Sequence, residues 1–463
     1  MTIITNKINL VIGLGRSGYW AAKFLNSLGE RVIVIEEKKN DQLAISKKDL
    51  ENIGIEVFLE FPFKFEKISR WINNINCVIL SPAIDIENQT VLKLKDSGIK
   101  VLGEANIGWN YLKDLNWVGV TGTNGKTTVT HLLSHILSQN KLEAPPAGNI
   151  GTPFCKYAYD YNLNKKLDWI IAELSSYQIE IACEIKPKIG IWTTFTPDHL
   201  DRHKTLENYF KIKNHLLKSS EIRIYNYDDF YLKSSSKKLA RGIWVSLDYK
   251  NKTIENCDYW LDEKGYIVEK GIALFHSEVL KLKGKHNILN LLLATAAARK
   301  IGLTGKKIKN SLKTYKQLPH RLETIYSARN LEVINDSKAT NFDSSFSGIN
   351  SLDKGQIIII GGRMKKGDSK LWSSIILEKC KGVFLYGESS KELKRILLKA
   401  GFMEDIFIHN ELKDLVPLAI KYLKIRKLKI LLFSPACSSF DQFKDYEERG
   451  NYFKCLVKKY LCI

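Results

Sequence analysis

Two glycine-rich loops, each at the end of an apolar run, carry the residues of this chain best suited to chemistry. In the more specific of them, Trp117-Val118-Gly119-Val120-Thr121 runs into Gly122-Thr123-Asn124-Gly125-Lys126-Thr127-Thr128, and a helical pattern continues to Ser138. Backbone N–H groups in such a turn wrap phosphate oxygens. A lysine at the place of Lys126 sets a positive charge on the β- and γ-phosphates, and the hydroxyl of Thr127 is suited to a Mg²⁺ ion. Val120 stands where the strict G-x-x-x-x-G-K-[ST] pattern has its first glycine. The order of strand, loop and helix is kept, and the chemistry implied is the binding and cleavage of ATP.

The other loop, Gly13-Leu14-Gly15-Arg16-Ser17-Gly18, follows the apolar run Ile8–Gly13 and precedes a helical stretch, Tyr19–Leu28. A helix N-terminus reached through a glycine turn offers N–H groups and a partial positive charge to a diphosphate. Glu36-Glu37 closes the next apolar run, about 20 residues on, where a carboxylate suits ribose hydroxyls. Alone this loop would fit a nicotinamide dehydrogenase. Beside a second phosphate loop it points to two phosphorylated substrates held by one chain.

Three further groups stand just past apolar runs. Glu173 lies in Ala172-Glu173-Leu174-Ser175-Ser176-Tyr177-Gln178 and offers the hard oxygen that Mg²⁺ prefers. His199 lies in Thr196-Pro197-Asp198-His199-Leu200-Asp201-Arg202-His203. His199 and His203 have the i, i+4 spacing of a zinc pair, but neighbouring phosphate chemistry calls for Mg²⁺, and His203 reads as a helix cap or core residue. The C-terminal third contributes Asn335–Asn341, Gly361–Gly367 and Ser434–Gly450, each after a strand-like run.

The elements that must position these residues read as three α/β units. Short, continuous, β-branched runs of the kind that form buried parallel strands occur at Ile8–Gly13, Arg31–Ile35, Cys77–Ser81 and Lys100–Leu102. They recur at Trp117–Thr121, Trp169–Leu174 and Ile189–Phe195, and again at Glu332–Asn335, Gln356–Gly361, Val383–Tyr386 and Lys429–Ser434. Helical patterns intervene, among them His286–Lys300 and Lys391–Ala400. The expected architecture is a Rossmann-like domain over 1–112, a P-loop ATPase domain over 113–315 and a smaller Rossmann-like domain over 316–463.

The chain has 463 residues, of which 44% are hydrophobic and 26% charged, a globular balance. No apolar run reaches the roughly 18 residues of a membrane helix, so no membrane insertion and a cytoplasmic location are expected. The eight cysteines are scattered without a C-x-x-C and read as reduced packing thiols. The net charge of +21 comes from lysines spread along the chain, with no nucleic-acid-binding signature, so a nucleic acid is not expected as a partner. Such a field concentrates polyanionic substrates.

Thr121–Thr128, reading T-G-T-N-G-K-T-T, resembles the ATP loop of the Mur ligases and folylpolyglutamate synthetases, which join an amino acid to a carboxylate at the expense of ATP. The order of the three units is also similar. The first glycine-loop domain and Ser434–Phe443, reading S-P-A-C-S-S-F-D-Q-F, disfavour a folate enzyme and resemble the D-glutamate-adding Mur ligases. The resemblance implies an ADP-forming ligase, expected to be monomeric, that joins D-glutamate to UDP-N-acetylmuramoyl-L-alanine. Gly122–Thr128, Asn287, Asn290, Arg321 and Asp336 would hold ATP. Lys126, His199, Lys213 and Lys338 would serve catalysis. Thr127, Glu173, His199 and Lys213, the last as a carbamate, would hold Mg²⁺ at two sites; Lys211 is the alternative to Lys213 by register. Gly15, Ser17, Glu36, Ser81 and Asn149, the last near its diphosphate and muramoyl moiety, would bind UDP-N-acetylmuramoyl-L-alanine, and Thr340, Lys365, Ser439 and Tyr446 the D-glutamate. A non-catalytic nucleic-acid-binding ATPase is the remaining, non-enzyme reading.

Overall fold

The computed structural model describes residues 7–248, 257–328, 331–365 and 367–461; Lys366 and Cys462 lie outside them. Three sheets follow one another along the chain. The first is wholly parallel, in the order Glu56–Phe58, Arg31–Ile35, Ile8–Ile12, Ile75–Leu80, Lys100–Gly103. Its inner strand Ile8–Ile12 is buried at every residue, as a strand covered by helices on both faces must be. The strand order reverses between Ile8–Ile12 and Ile75–Leu80. The Gly13–Gly18 loop and Ser81 lie just beyond the carboxyl ends of these two strands, at the crevice where doubly wound sheets bind ligands.

The second sheet has nine strands. Its parallel centre places Asn116–Thr121 between Trp169–Glu173 and Ile189–Trp192. The phosphate-type loop therefore leaves a central strand, flanked by the strand ends that carry Glu173 and lead to His199. The sheet continues past Ile222–Asn226 and Ile243–Ser246 into an antiparallel extension, Cys257–Leu261, Tyr266–Glu269 and Ile272–His276, which the strand-helix alternation does not anticipate. The helix Lys285–Lys300 is buried along most of its length against this sheet.

The third sheet is parallel from Leu331–Asn335 through Ile430–Phe433, Gln356–Gly361 and Cys380–Tyr386 to Ile406–His409, with Glu323–Ala328 antiparallel at its edge. Polar contacts bridge the three sheets and their loops. Arg202 pairs with Asp85 at 3.2 Å, Lys444 donates to Gln42 at 2.8 Å, and Lys365 pairs with Asp198 at 3.3 Å. Among the described residues no helix is long and apolar enough to cross a membrane, and the seven described cysteines are free thiols.

Candidate active site

The phosphate-type loop is shaped by glycines. Gly122 has φ 146° and a Cβ there would stand 2.0 Å from Thr193 Oγ1; Gly125 has φ 83° and its Cβ would meet Asn290 Oδ1 at 2.6 Å. Only glycine fits both the left-handed backbone and the contact. Thr194 Oγ1 accepts from Asn124 N at 2.9 Å and Thr193 Oγ1 donates to Asn124 O at 2.5 Å, fixing the turn. The helix Lys126–Gln139 then begins, so its free N–H groups point at the mouth of the loop. Lys126 Nζ donates to the carbonyls of Gly122 and Thr123, each at 2.8 Å. Burial lowers its pKa, while the Glu173 and Asp198 carboxylates work in the opposite direction.

A cavity of about 480 Å³ opens at this loop. Thr123–Thr128, Asn149, Glu173 and His199 line one side, with Asn287 and Asn290 from the long helix. Arg321, Asp336, Lys338, Thr340 and Lys365, all from the C-terminal third, line the other. Most of the residues expected to hold ATP, and two of the four expected to hold D-glutamate, thus face one space.

Glu173 is 1% exposed. Its Oε1 accepts from Asn149 Nδ2 at 2.8 Å, and its Oε2 has no hydrogen-bond partner. An orphaned, buried carboxylate oxygen beside a phosphate loop is a position that calls for a cation. Thr127 and His199 line the same cavity. His199 sits in the left-handed region at φ 56°, its Nδ1 is 3.0 Å from the Tyr177 hydroxyl, and its Nε2 is 3.6 Å from Asp198 Oδ2. Burial pushes its pKa down to about 4, so the ring is neutral at pH 7 and one of its nitrogens can accept. His203 is also held near 4 by burial, but it is stacked on Tyr209 with ring centroids 5.2 Å apart and bonded to Ser176 Oγ at 2.8 Å. It packs in the core behind the loop.

Lys213 lies beneath the loop, 1% exposed, and does not line the cavity. Its Nζ donates to Gly122 O at 2.9 Å and to Thr121 Oγ1 at 3.3 Å, and sits 4.7 Å from the Tyr209 ring centroid. Burial drives its pKa well below the ordinary value, and the nearby Lys126 ammonium adds to the fall. Lys211, by contrast, is exposed and pairs with Glu207 at 2.9 Å.

On the C-terminal side, Asp336 accepts from Ser434 Oγ at 2.9 Å and from Leu322 N at 3.2 Å, and burial raises its pKa to about 7. Lys338 is lowered to about 7 by burial, with Arg321 contributing, and its Nζ stands 3.6 Å over the Tyr446 ring. Thr340 and Lys365 face the cavity, whereas Ser439 is buried outside its lining and Tyr446 serves as the platform under Lys338. Asp198 was not singled out from the sequence. It accepts from His199 N at 2.9 Å and from Asn341 Nδ2 at 3.3 Å as well as pairing with Lys365, and its place beside His199 was the available signal.

A second cavity, about 990 Å³, opens over the first glycine loop and is lined by Gly15, Arg16, Glu36 and Ser81, with Lys444 reaching in from the C-terminal third. The Glu36 carboxylate is engaged by Leu14 N at 2.8 Å and Lys38 N at 3.0 Å, so it locks the loop. Ser17 lies in the first turn of the helix Arg16–Ser27 and is not part of this lining, and Asn149 faces the other cavity.

A three-sheet α/β fold with a phosphate loop on its central sheet and a cavity shared with its last sheet, lined by Lys126, Arg321, Lys338 and Lys365 among several carboxylates, defines an ATP-dependent ligase architecture. The Mur ligase middle domain matches residues 120–298, and the Mur ligase MurD-like N-terminal domain matches residues 7–103. The chain is 58% identical to the UDP-N-acetylmuramoylalanine--D-glutamate ligase of Prochlorococcus marinus (strain MIT 9515), over 97% of this chain and 94% of that one. It is 40% identical to the enzyme of the same name from Synechococcus sp. (strain CC9605), over 98% of each. Among solved structures, the UDP-N-acetylmuramate-alanine ligase MurC of Thermotoga maritima superposes with a TM-score of 0.61 at 17% identity, covering 98% of this chain and 99% of that one, a likeness of fold. This chain belongs to the Mur ligase family.

Proposed function

We propose that this chain joins D-glutamate to UDP-N-acetylmuramoyl-L-alanine at the expense of ATP, a step of peptidoglycan precursor synthesis. The observation that carries this reading is the single cavity in which the Gly122–Thr128 loop faces Arg321, Lys338 and Lys365 from the last sheet. The names of relatives matched over nearly the whole chain support it.

A carboxylate is a poor acylating agent because its oxygen is a poor leaving group. In the proposed reaction the alanyl carboxylate attacks the γ-phosphorus of ATP, forming an acyl phosphate and releasing ADP. The neutral amine of D-glutamate then attacks the acyl carbon, the C–O bond to phosphate breaks, and the nitrogen releases a proton as the amide forms. Lys126 and Lys338 offset charge on the transferred phosphoryl group, and Arg321 presents a planar pair of donors to phosphate oxygens. Lys365 pairs with a D-glutamate carboxylate, exchanging its present partner Asp198 for the substrate. The orphaned Glu173 oxygen, the Thr127 hydroxyl and a neutral His199 fit Mg²⁺, although no group of three or more His, Cys, Asp or Glu that could hold a metal occurs among the described residues. When bound, Mg²⁺ would neutralise charge on the phosphates. Lys213, buried and depressed in pKa, is the lysine suited to carbamylation.

The discriminating experiment is phosphate release from ATP in the presence of UDP-N-acetylmuramoyl-L-alanine with D-Glu, L-Glu, L-Lys or L-Ala. Release is expected with D-Glu; release with L-Lys but not D-Glu would sink the assignment. Lys365→Met is expected to raise the KM for D-glutamate about 30-fold or more, with the KM for ATP changed less than about threefold. A uniform change in both constants would remove Lys365 from the amino-acid site.

Lys338 adds a pH dependence. Its pKa near 7 is lowered by burial, and ATP phosphates beside it would raise that value. ATP binding then takes up a proton at pH values between about 7 and the raised pKa, so affinity falls as pH rises through that window. Calorimetry in buffers of different ionisation enthalpy should detect the uptake at pH 8, and Lys338→Met should abolish it. An uptake that persists in the variant would assign the proton to another group.

A further inference from the structure

Glu104 is a buried acid that the ATP and amino-acid sites do not use. It is the first residue of the helix Glu104–Leu112 and directly follows Lys100–Gly103, the last strand of the first sheet. It is 3% exposed, and its Oε1 accepts from Cys155 N at 2.5 Å. The Cys155 thiol donates to the Glu104 carbonyl at 3.5 Å. Among the described residues no lysine, arginine or histidine forms an ion pair with Glu104. Its compensation comes from the N-terminus of another helix, Phe154–Asn162, whose own N-cap residue Pro153 offers no side-chain acceptor.

Burial lifts the Glu104 pKa to about 7, a sign of what the location costs. A serine or aspartate at position 153 would cap the same helix locally without burying an acid. What the distant Glu104 adds is a tie between the exit of the first sheet and the segment leading into Phe154–Asn162. Helix contact reinforces it: a Cβ on Gly108 would lie 2.3 Å from Phe154 Cβ. The segment before Pro153 folds on itself, with Gly148 N donating to Thr152 O at 2.7 Å. It presents Asn149 to Glu173, and at Gly151 it runs beside the Arg16 guanidinium of the first glycine loop, 2.8 Å from where a Cβ would stand. Residues 148–152 therefore touch the lining of both cavities.

We infer that Glu104 is a positioning residue: by holding the start of Phe154–Asn162 to the end of the first sheet, it sets the 148–152 segment at which a substrate anchored on the first glycine loop crosses to the ATP cavity. This rests on the proposed function, in which the nucleotide end of one substrate sits on that loop. The segment bridges the cavities, so its displacement misaligns the nucleotide-bound substrate while ATP keeps its own loop.

The test compares Glu104→Gln, Glu104→Leu and the double variant Glu104→Leu/Pro153→Ser, measuring the KM for UDP-N-acetylmuramoyl-L-alanine, the KM for ATP and the melting temperature. Glutamine keeps an acceptor oxygen for Cys155 N and is expected to stay within about threefold of the parent chain. Leucine is expected to raise the KM for the uridine nucleotide about tenfold and that for ATP less than twofold. The double variant restores the local cap, since Pro153 already has the extended backbone of an N-cap. It should regain melting temperature yet keep the raised nucleotide KM. If restoring the cap also restored that KM, Glu104 would be a structural cap alone. Equal rises in both KM values, or a glutamine variant as impaired as leucine, would also overturn the inference. A parent chain inactive with the uridine nucleotide would instead refute the proposed function.

Discussion

Lys213→Met is expected to lower kcat by about a thousandfold while leaving the folded state at least as stable as the parent. The two effects pull apart because the lysine sits where an ammonium is expensive: 1% exposed, under the Gly122–Thr128 loop, with its nitrogen bonded to Gly122 O and Thr121 Oγ1 and with Lys126 close enough to add repulsion. Methionine fills a similar volume without the charge, so stability does not suffer. On the proposed carbamylation of Lys213, the function lost is that of an anion. Depressing an amine's pKa enlarges its neutral fraction, and in the proposed carbamylation the neutral nitrogen attacks the carbon of CO₂, forming an N–C bond and releasing a proton. The resulting carbamate brings a negative charge beneath the loop, beside the Lys126 ammonium. Carbamate formation needs the neutral amine, so activity should fall as pH drops through the amine's folded pKa and should depend on dissolved CO₂. Enzyme in CO₂-depleted buffer is expected to lose most of its activity and regain it with bicarbonate. A methionine variant within tenfold of the parent, or indifference to bicarbonate, would show that Lys213 serves packing alone.

What could be read from the sequence follows from how local each signal is. Four strands of the first sheet and the centre of the second were legible because parallel strands buried on both faces are continuous apolar runs, as in Ile8–Ile12 and Trp169–Glu173; the short edge strand Glu56–Phe58, with one buried residue, was not. The antiparallel extension was not, since Ile272–His276 buries only Phe275 fully and lacks that pattern. Its turns at Asp262–Gly265 and Lys270-Gly271 were the only cues. The phosphate loop was legible because its glycines answer a backbone requirement local to the loop. Glu173 was legible as a polar residue at the end of a buried strand. Lys213 against Lys211 was a question of helix face: residue 213 turns inward and 211 outward. Contacts between distant segments left no trace of their own. Asp198 with Lys365, Glu104 with Cys155 N, and the placing of Tyr446 under Lys338 each join residues of ordinary type across more than 50 positions.

Arg449→Met should damage both the fold of the last unit and the amino-acid step, and for one reason. The Arg449 side chain is 0% exposed and forms no ion pair among the described residues. Its three nitrogens each donate to one of two loops: Nε to Ser337 Oγ at 3.0 Å, Nη2 to Ser337 O at 2.7 Å and Nη1 to Cys437 O at 2.9 Å. Ser337 lies between Asp336 and Lys338, and Cys437 precedes Ser438, whose backbone pairs with Arg363 two residues before Lys365. One planar guanidinium thus sets the relative position of loops carrying Asp336, Lys338 and Lys365. Methionine leaves two carbonyls buried and unsatisfied, at about 1–3 kcal/mol each. It also releases the loops by enough to cost about a hundredfold in kcat/KM, since an ångström of misplacement at a reacting centre carries that penalty. Lysine is expected to recover part of the stability and little of the rate, because an ammonium lacks the planar fork that reaches both loops from separate nitrogens. The split is measurable by chemical denaturation alongside initial rates at varied D-glutamate, with the KM for D-glutamate rising more than that for UDP-N-acetylmuramoyl-L-alanine. Were the lysine variant to match the parent in rate, positive charge rather than the planar fork would be what this position supplies, and the two loops would be held in register by their own backbone pairing of Arg363 with Ser438.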